Sequence, residues 1–251
     1  MDSKNKKILL TGGSGKLGSA IRKSGLFPNL LAPGHKELDI SDFRSVMEYM
    51  ESHELEGVIH TAAIASFAIA EKDPALAIAT NTVGTANLVR AVFLKDKNMR
   101  FIHVSTDQLS GGTKGNYKET DPVLPVNKYD WTKLAAECSV HLLPNACMVR
   151  TAFFDPENIP FDESPDDMYS SKLPVGELPK DLLALYSSDI KGVINIGGKR
   201  MSSYERFRAY KPSIKKTSFA DVQKQQILGV IIARDTSLDS SKWENWLKKN
   251  K

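Results

Sequence analysis

Lys6-Lys7-Ile8-Leu9-Leu10-Thr11-Gly12-Gly13-Ser14-Gly15-Lys16-Leu17-Gly18 is the stretch that decides the fold. Ile8–Thr11 reads as an apolar strand, and Lys16–Ser24, with Leu17, Ala20 and Ile21 on one face, as the helix after it. The glycines between them satisfy two spacings at once. Gly13, Gly15 and Gly18 fit Gly-x-Gly-x-x-Gly, whereas Gly12, Gly15 and Gly18 fit Gly-x-x-Gly-x-x-Gly. Either way one glycine makes the turn, one lets backbone N–H groups approach a pyrophosphate, and one lets helix and strand pack closely. The helix N-terminus then offers free N–H donors to the anion. Glycine turns are common, but this one follows a strand and opens a helix, which is the context the motif requires. Gly12, Gly13, Ser14, Gly15, Lys16, Leu17 and Gly18 are therefore the expected cradle of a dinucleotide. The run is not a phosphate loop of the Walker type, because Lys16 is followed by Leu17 rather than a hydroxyl residue.

Outward from this turn, strand-like and helix-like segments alternate. Leu30–Ala32 is a short second strand, and Ser41 reads as the N-cap of a helix carrying Val46, Tyr49 and Met50. Gly57–Thr61 is a third strand. Pro74–Leu94 reads as one long helix with Leu76, Ile78, Val83, Leu88 and Val92 available for the core. Arg100–Ser105 is a fourth strand, Tyr129–Leu143 a helix and Ala146–Arg150 a fifth strand. This order predicts an α/β protein with a Rossmann-type, doubly wound parallel sheet. We divide the chain into a nucleotide-binding region, 1–151, and a smaller substrate-binding region, 152–251. In the second, Pro156, Pro160, Pro165, Pro174 and Pro179 deny a long helix, and Asp162, Glu163, Asp166 and Asp167 form an acidic patch. The expected result is a loop-rich segment over the C-terminal edge of the sheet. Pro179–Ser187 reads as a helix, Gly192–Ile196 as a late strand rejoining the sheet, and Leu238–Leu247 as a closing amphipathic helix with Trp243 and Trp246.

The chain has 251 residues, 41% hydrophobic and 25% charged, enough for one sizeable core. Its net charge of +4 is dispersed, with no basic stripe, which argues against nucleic acid and for a solvated surface with a site for a small anion. Cys138 and Cys147 lie in apolar stretches outside any Cys-x-x-Cys pattern and are expected to be buried free thiols. No apolar run follows Met1–Asn5, and no window nears the ~18 apolar residues of a spanning helix, so the expectation is a cytoplasmic protein without a membrane partner.

Tyr129 and Lys133 are four residues apart on one helix face. Tyrosine titrates near pH 10. A neighbouring ammonium would lower that value and make the phenol a proton donor near working pH, while the lysine also holds a nicotinamide ribose. Ser105 and Thr106 end the fourth strand beside the crevice expected for a cofactor, where the Thr106 hydroxyl can orient a carbonyl oxygen. The turn Pro33-Gly34-His35-Lys36 lacks the carboxylate that usually binds adenosine ribose hydroxyls. His35 and Lys36 either face a 2′-phosphate or form an ordinary exposed turn. The first reading predicts NADPH as cofactor with NADH still accepted. Asp39 and Ile40 lie where such folds cradle adenine.

These features resemble an extended short-chain dehydrogenase/reductase, and within it the dTDP-4-dehydrorhamnose reductase family. The resemblance is carried by Thr11–Gly18, Glu37–Asp42, His60-Thr61-Ala62-Ala63, Asn81–Leu88, Val104–Asp107, Gly112–Tyr117, Tyr129–Glu137 and Arg150-Thr151, and thins after 151. It implies that Ala62 and Ala63 line the cofactor, that Asn81 faces the site, and that Thr106, Tyr129 and Lys133 form the catalytic triad. Asp107 and Phe153 would face the substrate. The implied reaction is reduction of a nucleoside-diphosphate-linked 4-keto-6-deoxy sugar, as in deoxysugar and surface polysaccharide biosynthesis. Departures are Gln108 where the family has tyrosine, Phe153 where it has tryptophan, and a shortened segment between Phe154 and Leu173. Sugar 4,6-dehydratases place Asp-Glu after the catalytic threonine. The Gln108 amide cannot shuttle that proton, which leaves 4-epimerisation open but not elimination. A non-catalytic binding subunit, like the regulatory subunit of methionine adenosyltransferase, is the alternative of another class, and the intact triad argues against it. A homodimer is compatible with the resemblance. No ligand cluster predicts a metal.

Overall fold

Ile8, Leu9 and Leu10 are all buried, as are Val58, Ile59, Phe101 and Ile102. Strands apolar on both faces belong inside a parallel sheet with helices on each side. The computed structural model describes residues 6–250 and places them there. Its strands are β1 (Lys7–Thr11), β2 (Leu30–Leu31), β3 (Leu55–His60), β4 (Arg100–Val104), β5 (Ala146–Arg150), β6 (Phe153–Phe154), β7 (Glu163–Pro165), β8 (Tyr169–Ser170), β9 (Leu173–Pro174), β10 (Gly192–Asn195), β11 (Met201–Ser202) and β12 (Lys215–Thr217). Six of them form one sheet in the order β2-β1-β3-β4-β5-β10, and every pair in it is parallel. The order reverses at β1, which has β2 on one side and β3 on the other, so the crevice of this fold opens at their C-terminal ends.

The helices are α1 (Lys16–Lys23), α2 (Phe43–Ser52), α3 (Phe67–Lys72), α4 (Pro74–Ala77), α5 (Gly84–Asp96), α6 (Lys128–Val140), α7 (Leu178–Tyr186), α8 (Ser203–Arg208), α9 (Phe219–Lys224) and α10 (Ser241–Lys249). Among the described residues, no helix is long and apolar enough to cross a membrane. Alternation along the strands separates two cores. Leu9, Val58 and Phe101 pack with Val46 and Met50 of α2 and Leu88 and Val92 of α5. Ile8, Leu10 and Ile102 pack on the other face with Leu17 and Ile21 of α1, Leu178 and Leu182 of α7, Ile194 of β10 and Trp243 of α10. The second core therefore draws on both sides of residue 151. The late strand rejoins the sheet, with Gly192 opposite Cys147 and Asn195 opposite Arg150. In α10, the Trp243 indole donates to Asp181 of α7 at 3.0 Å.

Several local expectations need correction. The single helix expected over 74–94 is three segments: α4, a π-helical turn at Ile78–Val83, and α5. Asp73 caps Leu76 N at 2.9 Å and Pro74 restarts the chain there. The wide turn then breaks the 3.6-residue phase on which the expected core face was counted. Leu76, Ile78 and Val83 are consequently 45%, 49% and 41% exposed, and Asn81 turns inward instead. Asp42, not Ser41, caps α2, through Arg44 N at 3.0 Å, while Ser41 bonds back to Asp39. Cys138 is exposed, because it lies on the outer side of α6, whereas Cys147 is buried in β5.

Apart from β10, the C-terminal region contributes strands of two or three residues rather than a layer of its own, pairing β6 with β9, β8 with β11, and β7 with β12. It is stitched by polar groups instead. Arg206 donates to the carbonyls of Lys172, Ser170 and Lys199 at 2.6, 2.5 and 3.1 Å. The Asn195 amide donates to Tyr117 O at 2.8 Å and Asp239 O at 3.2 Å.

Candidate active site

The three demands on a glycine turn fall on three different residues. Gly12 has φ +74°, and a Cβ there would lie 2.6 Å from Ala62 N. A Cβ on Gly18 would overlap the Gly12 carbonyl oxygen, so this glycine lets α1 pack against the turn. Gly15 has an ordinary φ of −69°. A Cβ there would meet only Gly12 O, at 3.3 Å. Its free side faces a cavity of about 570 Å³. Lys16, Leu17 and Gly18 also line this cavity, and as the first turn of α1 their N–H groups have no intrahelical acceptor. The spacing Gly12, Gly15, Gly18 is thus the one the fold uses. Gly13 and Ser14 face a second cavity of about 400 Å³, with Pro33, His35, Asp39, Ile40 and Ala62.

Across the larger cavity, β4 runs out into Ser105 and Thr106, both buried. Thr106 accepts from Gln108 N at 3.2 Å and lines the cavity together with the Tyr129 phenol. Asn127 starts α6 by accepting from Asp130 N at 3.0 Å. This helix is buried on most of its surface and carries polar groups inward, so they must find partners. Arg150 of β5 meets Glu137 through two bonds, at 3.1 and 2.8 Å, which fixes α6 to the sheet. Tyr129 and Lys133 thereby face the same cavity as Thr106. Ala63, Asp107 and Phe153 line it too.

The electrostatics differ from expectation at Tyr129. Burial raises its pKa, and the charges of Asp107 and Asp130 add to this against the influence of the Thr106 hydroxyl. Lys133 does not lower it as expected. The Lys133 amine instead turns to β4, donating to Val104 O at 2.9 Å and lying 3.3 Å from His103 Nε2. Burial brings the Lys133 pKa down to about 8, with Glu137 opposing. Asp107 is buried and its pKa raised, with Lys172 the largest opposing influence. Thr236 donates to one of its oxygens at 2.7 Å and Gln108 to the other at 2.8 Å.

Two expected site residues lie elsewhere or do other work. Asn81 is occupied by structure: it accepts from Ile64 N at 2.7 Å and donates to Thr132 Oγ1 at 2.9 Å, tying the loop after β3 to α6. Lys36 is exposed and does not line either cavity, because the turn ends with Glu37 accepting from Gly34 N at 2.8 Å. His35 does line the smaller cavity, but Asp39 stands 3.9 Å from it, so the turn is not free of carboxylate. One lining residue had no sequence signal. Lys172 comes from the proline-rich segment, where no periodicity points inward.

Comparison with known proteins agrees with this geometry. The family described as the RmlD substrate binding domain matches residues 6–157. A dTDP-4-keto-6-deoxy-D-glucose reductase from Streptomyces niveus is 34% identical over 150 residues, covering 58% of this chain and 51% of the relative. The chain spans about half the length of the curated relatives it matches first. Among solved structures, a dTDP-4-dehydrorhamnose reductase from Clostridium acetobutylicum superposes with a TM-score of 0.83 at 24% identity, over 97% of both chains. The dTDP-4-dehydrorhamnose reductase of Bacillus anthracis, solved in complex with NADP, gives 0.84 at 20% identity over 98% of both. The parallel sheet, the glycine turn and the match over residues 6–157, more than half of the chain, together place it in the RmlD substrate-binding-domain family of dTDP-4-dehydrorhamnose reductase relatives.

Proposed function

We propose that the chain reduces the 4-keto group of a nucleoside-diphosphate-linked 6-deoxy sugar, with NADPH preferred and NADH accepted. The observation that carries this reading is that Thr106, Tyr129 and Lys133 meet at the cavity onto which the glycine turn opens. A dinucleotide suits the residues present. Gly15 leaves space where a side chain would stand, and the buried Ser105 Oγ has no partner among the described residues. The Gly12–Gly18 turn would hold the pyrophosphate, Asp39, Ile40 and Ala62 the adenosine end, and Lys133 the nicotinamide ribose. Bound there, the reduced nicotinamide supplies a hydride.

The chain's own groups handle the proton. Burial keeps the Tyr129 phenol protonated, so it is a donor to a carbonyl oxygen gaining negative charge. Thr106, on the same cavity, orients the same oxygen. Lys133, with a pKa of about 8, is mostly ammonium at neutral pH and lines the same cavity as the phenol. Gln108 donates its amide to Asp107 and cannot shuttle a proton beside it, which disfavours elimination of water. The reductase names of the relatives support the substrate class, and the NADP complex of the Bacillus anthracis protein supports the cofactor.

The test is incubation with NADPH and a panel of dTDP-, UDP- and GDP-linked 4-keto-6-deoxy sugars, following absorbance of the reduced cofactor. Consumption with at least one sugar is expected. If none consumes NADPH, the reductase reading fails, and a C4-epimerised product would replace it with epimerisation.

A further inference from the structure

Beneath the larger cavity, Thr11 of β1, His60 of β3 and His103 of β4 stand side by side in register, all buried. The tautomer of His60 follows from its partners. Thr85 Oγ1 spends its one proton on Asn81 O, 2.6 Å away, so toward His60 it can only accept, and His60 Nε2, at 2.9 Å, carries hydrogen. The bare Nδ1 then accepts from the Thr11 hydroxyl at 2.6 Å. His60 is thus satisfied and neutral, and burial holds its pKa at about 3.

His103 is not satisfied in this way. Its ring centroid lies 5.1 Å from that of His60. Nε2 is 3.3 Å from Lys133 Nζ, and Nδ1 is buried with no partner among the described residues. A buried polar group without a partner is destabilising, a cost that an apolar residue in this strand would avoid. What the imidazole supplies is an acceptor at Lys133.

We propose that His103 is a positioning residue for Lys133: its bare Nε2 takes one ammonium N–H, the Val104 carbonyl takes a second, and the third is left for the cavity. This deepens the reductase reading and rests on it for the role of Lys133. His60, locked neutral, keeps a further positive charge away from the amine. The other groups near the amine are Tyr129, one turn earlier on α6, and Glu137, one turn later. Glu137 is already paired with Arg150 of β5 at 2.8 Å.

Two measurements test this, and the first needs no substrate. In wild-type protein carrying ¹⁵N-labelled histidine, His103 should be the Nδ1–H tautomer. Its Nε2 resonance should follow a transition shared with Lys133 that vanishes in Lys133→Met. An Nε2–H tautomer, or a resonance indifferent to Lys133→Met, overturns the proposal whether or not any sugar is reduced. The second is turnover. His103→Leu should lower kcat about tenfold, in line with loss of one hydrogen bond to a charged group, with KM changed less than about twofold. The alkaline limb of kcat should move to lower pH, because a buried ammonium deprived of an acceptor gives up its proton more readily. His103→Gln, whose amide oxygen can accept from Lys133, should restore most of kcat and return the limb toward the wild-type position. A folded His103→Leu with wild-type kcat and limb, or a Gln variant as impaired as Leu, overturns the proposal. Absence of turnover in wild type with every sugar counts against the reductase reading and leaves the resonance to decide His103.

Discussion

The two cavities flanking the glycine turn share Gly12 and differ in almost everything else. The larger is walled by buried polar side chains on strand ends and α6: Ser105, Thr106, Asp107, Tyr129 and Lys133. The smaller is walled by the loop after β2, where His35 and Ser41 are exposed and Pro33 and Asp39 half-buried. A charge in the first acts through a low effective dielectric, and one in the second through water and salt. Substitutions around the first should therefore change chemistry by large factors. Those around the second should change the choice between ligands by small ones.

The largest effect should come from Tyr129→Phe, which keeps the ring and removes the proton. We expect kcat to fall by at least ~100-fold with cofactor affinity, measured by fluorescence titration, little altered. Near-normal turnover in the folded variant would break the contrast at its strongest point. Next is Gly15→Val. Its backbone is ordinary and its added atoms would enter the cavity, so NADPH affinity by calorimetry should drop by at least about tenfold with little change in Tm. Gly18→Val, which would collide with the Gly12 carbonyl, should instead lower Tm. Equal losses of Tm in both would show that the turn is structural only.

A third test uses the opposite behaviour of two aspartates. Asp130, beside Tyr129, is fully buried with one oxygen unpartnered, and burial raises its pKa to about 7. The folded protein then keeps a proton that the unfolded chain loses near pH 4. Stability from this group is highest below about pH 4 and declines as pH rises to about 7. Asp130→Asn removes the decline, so its advantage in urea unfolding should grow between pH 5 and 8, by on the order of 2 kcal/mol. Asp39, in the smaller cavity, has its pKa lowered, chiefly by the Ser41 hydrogen bond. Its contribution is present above about pH 4 and is lost as pH falls, so Asp39→Asn should have the opposite sign and a much smaller size. Curves of the same sign would overturn the contrast.

The smallest effect should be cofactor choice. We expect NADPH to be preferred within about tenfold, and His35→Ala to reduce the ratio of kcat/KM for the two cofactors by about two- to threefold, since the site is exposed. The preference should shrink as salt rises. Lys36→Ala should leave the ratio unaltered, and a large change there would place that lysine at the phosphate after all.

What the sequence made legible is what periodic elements carry. The strand, turn and helix from Ile8 to Ile21 are local, and Thr106, Tyr129 and Lys133 sit at positions that a strand end and a helix face determine. The rest depended on information outside any window. Asn81 turned inward because the π-helical turn shifts the phase of its helix. Burial holds the Tyr129 phenol protonated, and Lys133 turns instead to β4, where the register of β3 and β4 brings two histidines together. Lys172 and Thr236 reach the site from aperiodic chain held by Arg206 and short bridges, for which spacing gives no signal.

The apolar cluster on the α1 side of the sheet has a schedule as well as a position. It opens with Ile8 and closes with Trp243. At about 5–20 residues per second, a ribosome needs roughly five to twenty seconds to pass from Arg150 to Trp243. Through that interval the glycine turn and the Tyr129–Lys133 helix already exist, while the face of β1 bearing Ile8 and Leu10 still lacks α7, β10 and α10. The face of β1 bearing Ile8 and Leu10 thus waits on residues made long after it, and Trp243 is the last of the cluster's buried side chains to reach it.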